Sequence, residues 1–531
     1  MQRRATSRPR ATAAPCRRGL AAATVASLVL LSGCGSERQD DASSADEVLP
    51  QNVPVPAANG PKLVAIRHGA AVYDRPATTG TVLGTLRAGA KIARSEAPYG
   101  KRGCEGGWYA VRPRGFVCVG SEITLDVDHP VQRLLGEGPA LERALPFRYA
   151  RVKASAAVLY SAMPTAAEQA QAEGKGKPLA EEALARRLGP AATDVPLDDT
   201  SLPTGVPLLE RDAEGVGPDG YRTLGSWFTF PGPSARPAWL TDGASLTQST
   251  ETRVLKPKSG VALVGSFMTG EGASERRFAV TADGRFVPTD RLGAALGSTF
   301  FGVPLAGRSL PIAFAIRSPN TYALTKSAEP ERLDEELEHN QALLLTGRFR
   351  TVDGTLFYSI DDERWIRHRD IILVQARHKF PEFATGAQKW IDVSLANQTL
   401  IAWEGRRPVF ATLVSTGADR LGDPNAGAPS TLQGTFRVRA KHVSVNIDDA
   451  EVKAAYSITD APWALEFADG FAITGSYWQS HFGEAENFHN VTLSPVDAHW
   501  LFGWAGPELP EGWHGVRVAD DAATTIVHVH K

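Results

Sequence analysis

Between Phe471 and Trp504 the chain gathers residue types from which nucleophilic sites are built: the hydroxyls of Ser476, Ser480 and Ser494, the imidazole of His489 and the amide of Asn490. A serine becomes a nucleophile beside a base, on a G-x-S-x-G elbow or in an S-x-x-K pair. Neither pattern is present. An asparagine amide has a delocalised nitrogen and no proton that ionises at useful pH, so Asn490 attacks nothing. Cysteine is partly ionised near neutral pH and intrinsically nucleophilic. The four cysteines are Cys16, Cys34, Cys104 and Cys118, all far from this stretch. His528 and His530 share one face of a terminal strand by its two-residue period. With no third ligand indicated, a half-exposed strand is expected there, with no metal and no cofactor.

The same stretch carries a framework. Tyr477-Trp478, Phe482-Gly483, Val491, Leu493-Ser494-Pro495, Asp497-Ala498 and Trp500-Leu501-Phe502 follow one another in a fixed register. Val414-Ser415-Thr416-Gly417, Thr431 to Phe436 and Pro510 to Val516 extend it. Residues 389–531 thereby resemble the L,D-transpeptidase (YkuD) domains, cysteine enzymes that cross-link bacterial peptidoglycan. The framework of that family is retained and its chemistry is not. The first family histidine falls on Thr474, beside the retained Gly475, and the histidine after Tyr-Trp falls on Gln479. The His-Gly-Cys triplet falls on Phe488, His489 and Asn490. In the family a thiolate attacks the amide carbonyl of a stem peptide, and an amine resolves the thioester. Nucleophile and base are both missing here. The resemblance therefore implies a domain that binds peptidoglycan stem peptides or cell-wall proteins without catalysis. The alternatives are an enzyme with a relocated nucleophile, drawing on Ser476, Ser480 or His489, and a purely structural envelope protein. His489 lies one position from the expected base, so on a strand it would face the other way.

The elements that must hold this stretch are short strands. Trp390 to Leu395 and Leu400 to Trp403 flank a four-residue turn as a hairpin. A weak repeat runs through the earlier chain: Trp108 to Val111 into Gly115 to Cys118, Arg277 to Val280 into Asp283 to Asp290, and Leu356 to Ile360 into Asp361 to Asp370. Each is an alternating strand, a turn with glycine or acids, and an aromatic-led strand. Together with Ala71 to Pro76 and Val82 to Leu86, these resemble bacterial SH3-like (SH3b) modules, clearest over 63–126. Helix signals are few. Pro178 to Gly189 has proline first, acids early, bases late and glycine last, and Glu331 to Asn340 offers a second segment. Residues 190–220 read as a long loop. The expected class is mainly β, with SH3-like barrel modules ahead of a transpeptidase-like β domain at 389–531. A β-rich middle region would occupy 127–388.

The N-terminus has six arginines between Arg3 and Arg18, an apolar run from Leu20 to Leu31, then Leu31-Ser32-Gly33-Cys34. That is a secretory signal ending in what resembles a lipobox. The run is too short to span a bilayer, which takes about 20 residues. Residues 1–34 would be the signal, Cys34 the acylated residue, and 35–62 a disordered tether rich in Asp, Ser and then Pro. A periplasmic, membrane-anchored lipoprotein is expected, touching the membrane through its lipid alone. In that oxidising compartment Cys104 and Cys118 form an even pair and a disulfide, worth about 3 kcal/mol in the chain-entropy model. A formal net charge of −2 offers no basic surface for nucleic acid.

Overall fold

The computed structural model describes residues 53–135, 138–153, 156–173, 235–247, 249–270, 276–325, 329–419, 430–447, 456–486, 489–519 and 522–531. The signal segment, Cys34, most of the tether, the helix at 178–189, the loop at 190–220 and Phe488 lie outside them. Everything described is mainly β. Three α-helices are found among the described residues: Pro130–Leu134, Ala166–Glu173 and Pro495–Trp504.

The hairpins of the repeat are formed. Trp108–Ala110 pairs with Phe116–Cys118, Arg276–Thr281 with Phe286–Pro288, and Thr355–Ser359 with Trp365–Arg367. In the second and third, the aromatic-led strand enters a single 3-10 turn, Thr289–Arg291 or His368–Asp370, and leaves as a new strand, Leu292–Ala295 or Ile371–Val374. Cys104 and Cys118 are bonded, with Cα atoms 5.6 Å apart, beside the buried rings of Trp108 and Phe116.

One segment differs from its expectation. Glu331 to Asn340 is no helix: Glu331–Glu336 is a strand at the edge of a five-stranded sheet, paired with Asn320–Ala323. Leu333 and Leu337 have the spacing of a helical stripe, but the partner strand supplies hydrogen bonds that a lone amphipathic turn lacks. Its almost wholly exposed, charged side chains suit an edge that must resist further pairing.

The C-terminal region builds a six-stranded sheet ordered Val303–Pro304, Arg407–Leu413, Thr399–Glu404, Lys389–Ser394, Ile526–His530, Gly434–Arg437. Its central hairpin places Trp390 opposite Trp403, with rings stacked 5.4 Å apart and buried. Such a pair contributes about 0.5–1.5 kcal/mol beyond its buried area. The strands do not respect the expected module boundaries. Val82–Leu86 pairs with Gly515–Arg517, and Gly260 pairs in parallel with Ile458. At the first junction only glycine fits: a Cβ on Gly84 would lie 2.2 Å from the Gly515 carbonyl oxygen and 2.5 Å from the Trp513 ring.

Candidate functional site

The stretch holding Asn490 is set by two parallel strands, Phe471–Gly475 and Val491–Leu493, in the register Ile473↔Val491, Thr474↔Thr492, Gly475↔Leu493. Behind them packs the helix Pro495–Trp504. Ser494 caps it, accepting from the Asp497 N–H at 3.0 Å, and Pro495 takes the first helical position, an arrangement the sequence Ser-Pro-Val-Asp favours. Gly475 is in contact with this helix: a Cβ there would meet that of Ala498 at 3.1 Å. The framework residues are thus the packing surfaces that hold the stretch in place.

Asn490 is 5% exposed, and its Oδ1 accepts from the Ala472 N–H at 2.9 Å. Its side chain satisfies a backbone donor that the short parallel ladder leaves over. Thr474 and Ser476 are fully buried, and their hydroxyl oxygens have no hydrogen-bond partner among the described residues. Gln479 donates to the Ser415 hydroxyl at 2.7 Å and to the His481 carbonyl. Ser415 and Thr492 exchange backbone hydrogen bonds of 2.8 and 2.9 Å. His489, half-buried, stands edge-on to the Phe471 ring at 5.2 Å. Thr474 and Gly475 are therefore buried on the first of the two paired strands and Asn490 directly before the second, with Gln479 and His489 half-buried beside them. One hydroxyl nearby does meet an imidazole: Ser480 Oγ lies 2.9 Å from His481 Nδ1, on exposed chain.

Three titratable sites draw on distant segments, which hid from the sequence the partners of Asp497 and of His528 and His530, and the whole of the first. The first is buried between the N-terminal strands and the C-terminal region. His68 and His514 stand with rings 5.0 Å apart, and burial lowers both below the ordinary imidazole range. Nearby Asp283 is held ionised by Arg285 at 2.5 Å. Asp460, with a left-handed φ of 55°, accepts from Ser444 at 3.2 Å and is raised by burial and by Asp283. The second is Asp497, whose carboxyl accepts from the Gly302 N–H at 2.8 Å and meets the Thr412 hydroxyl. Burial pushes it up to about 7.

The third group concerns a metal. The parallel register Asp392↔His528 supplies the carboxylate that sequence reading lacked, and one ligand atom from each of Asp392, His528 and His530 lies within 4.8 Å of the others. Arg377 decides against a cation there. It donates to both Asp392 oxygens at 2.8 and 3.0 Å, and its Nη2 lies 3.1 Å from His530 Nε2. Both carboxylate oxygens already accept from Arg377, and a divalent ion would sit against a guanidinium.

Asp392 and His530 also line a cleft of about 1100 Å³, open to solvent and walled by the segments around Arg317, Asn340, Arg369, Gln398 and Phe482. Gly483, on its rim with φ 97°, packs so tightly that a Cβ would meet Ile372 at 2.6 Å.

No family model and no curated protein matches this chain. Among solved structures, an L,D-transpeptidase variant from Enterococcus faecium is similar at 18% identity over 27% of this chain and 49% of its own, TM-score 0.20. The catalytic domain of an E. faecium L,D-transpeptidase gives 20% identity over 27% and 98%, TM-score 0.20. An L,D-transpeptidase from Mycobacterium smegmatis gives 20% identity over 35% and 77%, TM-score 0.21. This chain spans about half the length of the first, and similarity at these TM-scores assigns it no activity.

Proposed function

We propose that this chain is an envelope lipoprotein whose C-terminal region, 389–531, is a catalytically silent relative of the L,D-transpeptidases. In this reading it binds peptidoglycan stem peptides or scaffolds a cell-wall protein, with SH3-like modules ahead of it. The observation that carries the reading is Asn490: it stands where the framework's register puts the thiol, and its side chain is buried and bonded to the Ala472 backbone. No cysteine occurs between 389 and 531, and Cys104 and Cys118 are consumed by each other. Gln479, at a histidine position, carries an amide that cannot act as a base. The test is co-sedimentation of the purified chain with sacculi, followed by muropeptide analysis. Retention with an unchanged muropeptide profile is expected, and no association with sacculi or with any cell-wall protein would end the reading.

The 2.9 Å contact between Ser480 and His481 supports a second reading, a relocated nucleophile, since hydroxyl–imidazole contact at this distance is how serine nucleophiles are activated. Labelling of the wild-type chain by a fluorophosphonate, abolished in Ser480→Ala, would establish it. The first reading expects no label.

A further inference from the structure

The cleft of about 1100 Å³ is separate from the Asn490 stretch: neither Asn490 nor Thr474 or Gln479 lines it. It abuts that stretch through Phe482, Gly483 and Glu484, which form part of its wall. Its size matches the upper end of small-ligand sites, about 300–1000 Å³. Several independent features of its walls concern what it would hold.

The first is backbone strain. Among the described residues, eight that are not glycine have left-handed φ, and four of them, Arg317, Ser318, Asn340 and Gln398, line this one cleft. Conformations of this kind cost about 1–3 kcal/mol each and collect where surroundings hold a functional shape. The turn that presents Arg317 is fixed in part by His339, whose Nδ1 accepts the Arg317 N–H at 3.1 Å. Asn340 follows directly, and its own N–H bonds to the Ala315 carbonyl at 2.9 Å.

The second is how charge is distributed. Two wall carboxylates are already neutralised: Asp392 by both arms of Arg377, and Asp370 by Arg367 at 2.5 Å. Arg317 forms no ion pair among the described residues. Arg369 reaches only Asp370, at 4.0 Å, a group that Arg367 already holds. The cleft therefore offers two guanidinium forks without committed partners, in a concave polar wall that concentrates their field. Arginine's planar fork matches a carboxylate in paired hydrogen bonds. Glu484, on the rim, is exposed and is the one wall acid without an arginine at ion-pair distance among the described residues.

We propose that this cleft is a binding site for a short peptide bearing free carboxylates, with Arg317 and Arg369 as its anion contacts. That the peptide is a peptidoglycan stem rests on the function proposed above; the carboxylate chemistry rests on the cleft alone. The site would then be built by the union of the middle region with the transpeptidase-like strands, and neither part holds it by itself.

The test uses the purified full chain and fluorescence anisotropy with labelled probes: a stem tetrapeptide with free carboxylates, the same peptide with its carboxylates amidated, and a Glu-rich tetrapeptide of no cell-wall origin. The expected result is saturable binding of the free stem, weakened about tenfold or more by amidation and by Arg317→Gln combined with Arg369→Gln. Both arginines are exposed, so an unchanged melting curve should accompany the double variant. Equal affinity for the amidated stem, or a double variant within about twofold of wild type, would overturn the proposal, as would failure of every carboxylate probe to bind. Binding of the Glu-rich peptide without the stem would end the cell-wall reading and leave the cleft's chemistry standing. Loss of peptide binding in the double variant with retention on sacculi would support the site and show that a second surface holds the wall.

Discussion

At position 490 the side chain serves the structure of its own stretch. Asn490 spends its oxygen on the Ala472 N–H, so Asn490→Ala would strand a buried donor. A loss of about 1–3 kcal/mol is expected, read as a lower melting temperature, with Asn490→Asp retaining an acceptor and more of the stability. On the function proposed above, Asn490→Cys should not form an acyl adduct with a carbapenem, because Thr474, Gln479 and Phe488 carry no imidazole; mass spectrometry of the C-terminal peptides checks this. Asp497 gives a signed pH prediction. Its folded value, about 7, lies above the ordinary 3.8. The stability it contributes is therefore complete below about pH 4 and lost as pH rises through about 7. Up to about 4 kcal/mol follows from a shift of that size. Asp497→Asn can keep both the Gly302 and Thr412 contacts without ionising. It should match wild type near pH 4 and exceed it in thermal stability at pH 8.

At the scale of elements, the helix Pro495–Trp504 and the hairpin Lys389–Glu404 position the stretch. Ser494→Ala should cost about 1 kcal/mol through the lost cap. Trp390→Ala, which removes half of the buried ring stack, should cost about 3–5 kcal/mol; chemical denaturation measures both. The helix was not among the segments expected, although Ser-Pro-Val-Asp writes a cap; the hairpin was legible because its signal, alternation around a turn, is local. The strand at Glu331–Glu336 was not, since Leu333 and Leu337 mimic a helical stripe and only the Asn320–Ala323 partner decides otherwise. The site divides the same way. A register names its positions, but the hydrogen bond that holds Asn490 comes from Ala472, and the Arg377–Asp392–His530 group depends on a parallel pairing that no local pattern announces.

For the whole molecule, the expected chain of separate modules is replaced by shared sheets. Gly84 faces Val516 across a ladder, and the Trp513 indole donates to the Arg112 carbonyl at 2.9 Å, 401 positions away. Gly84→Ala should therefore loosen both ends together: limited proteolysis is expected to cut the N-terminal strands and the segment near Trp513 at the same rate, while an equivalent change at solvent-facing Gly69 is judged only by its turn. A buried junction containing His68, His514, Asp283, Arg285 and Asp460 makes the same union electrostatic as well as apolar.

That ladder between Val82–Leu86 and Gly515–Arg517 also dictates an order of events during synthesis. The early strands cannot complete their sheet until Gly515–Arg517, about 430 residues later, has emerged, so shorter nascent chains carry an unfinished edge. Contacts closed over such distances are slow to form. A ribosome-bound fragment truncated before Gly515 should thus remain open to chaperones, and this sheet should close only once Gly515–Arg517 has emerged.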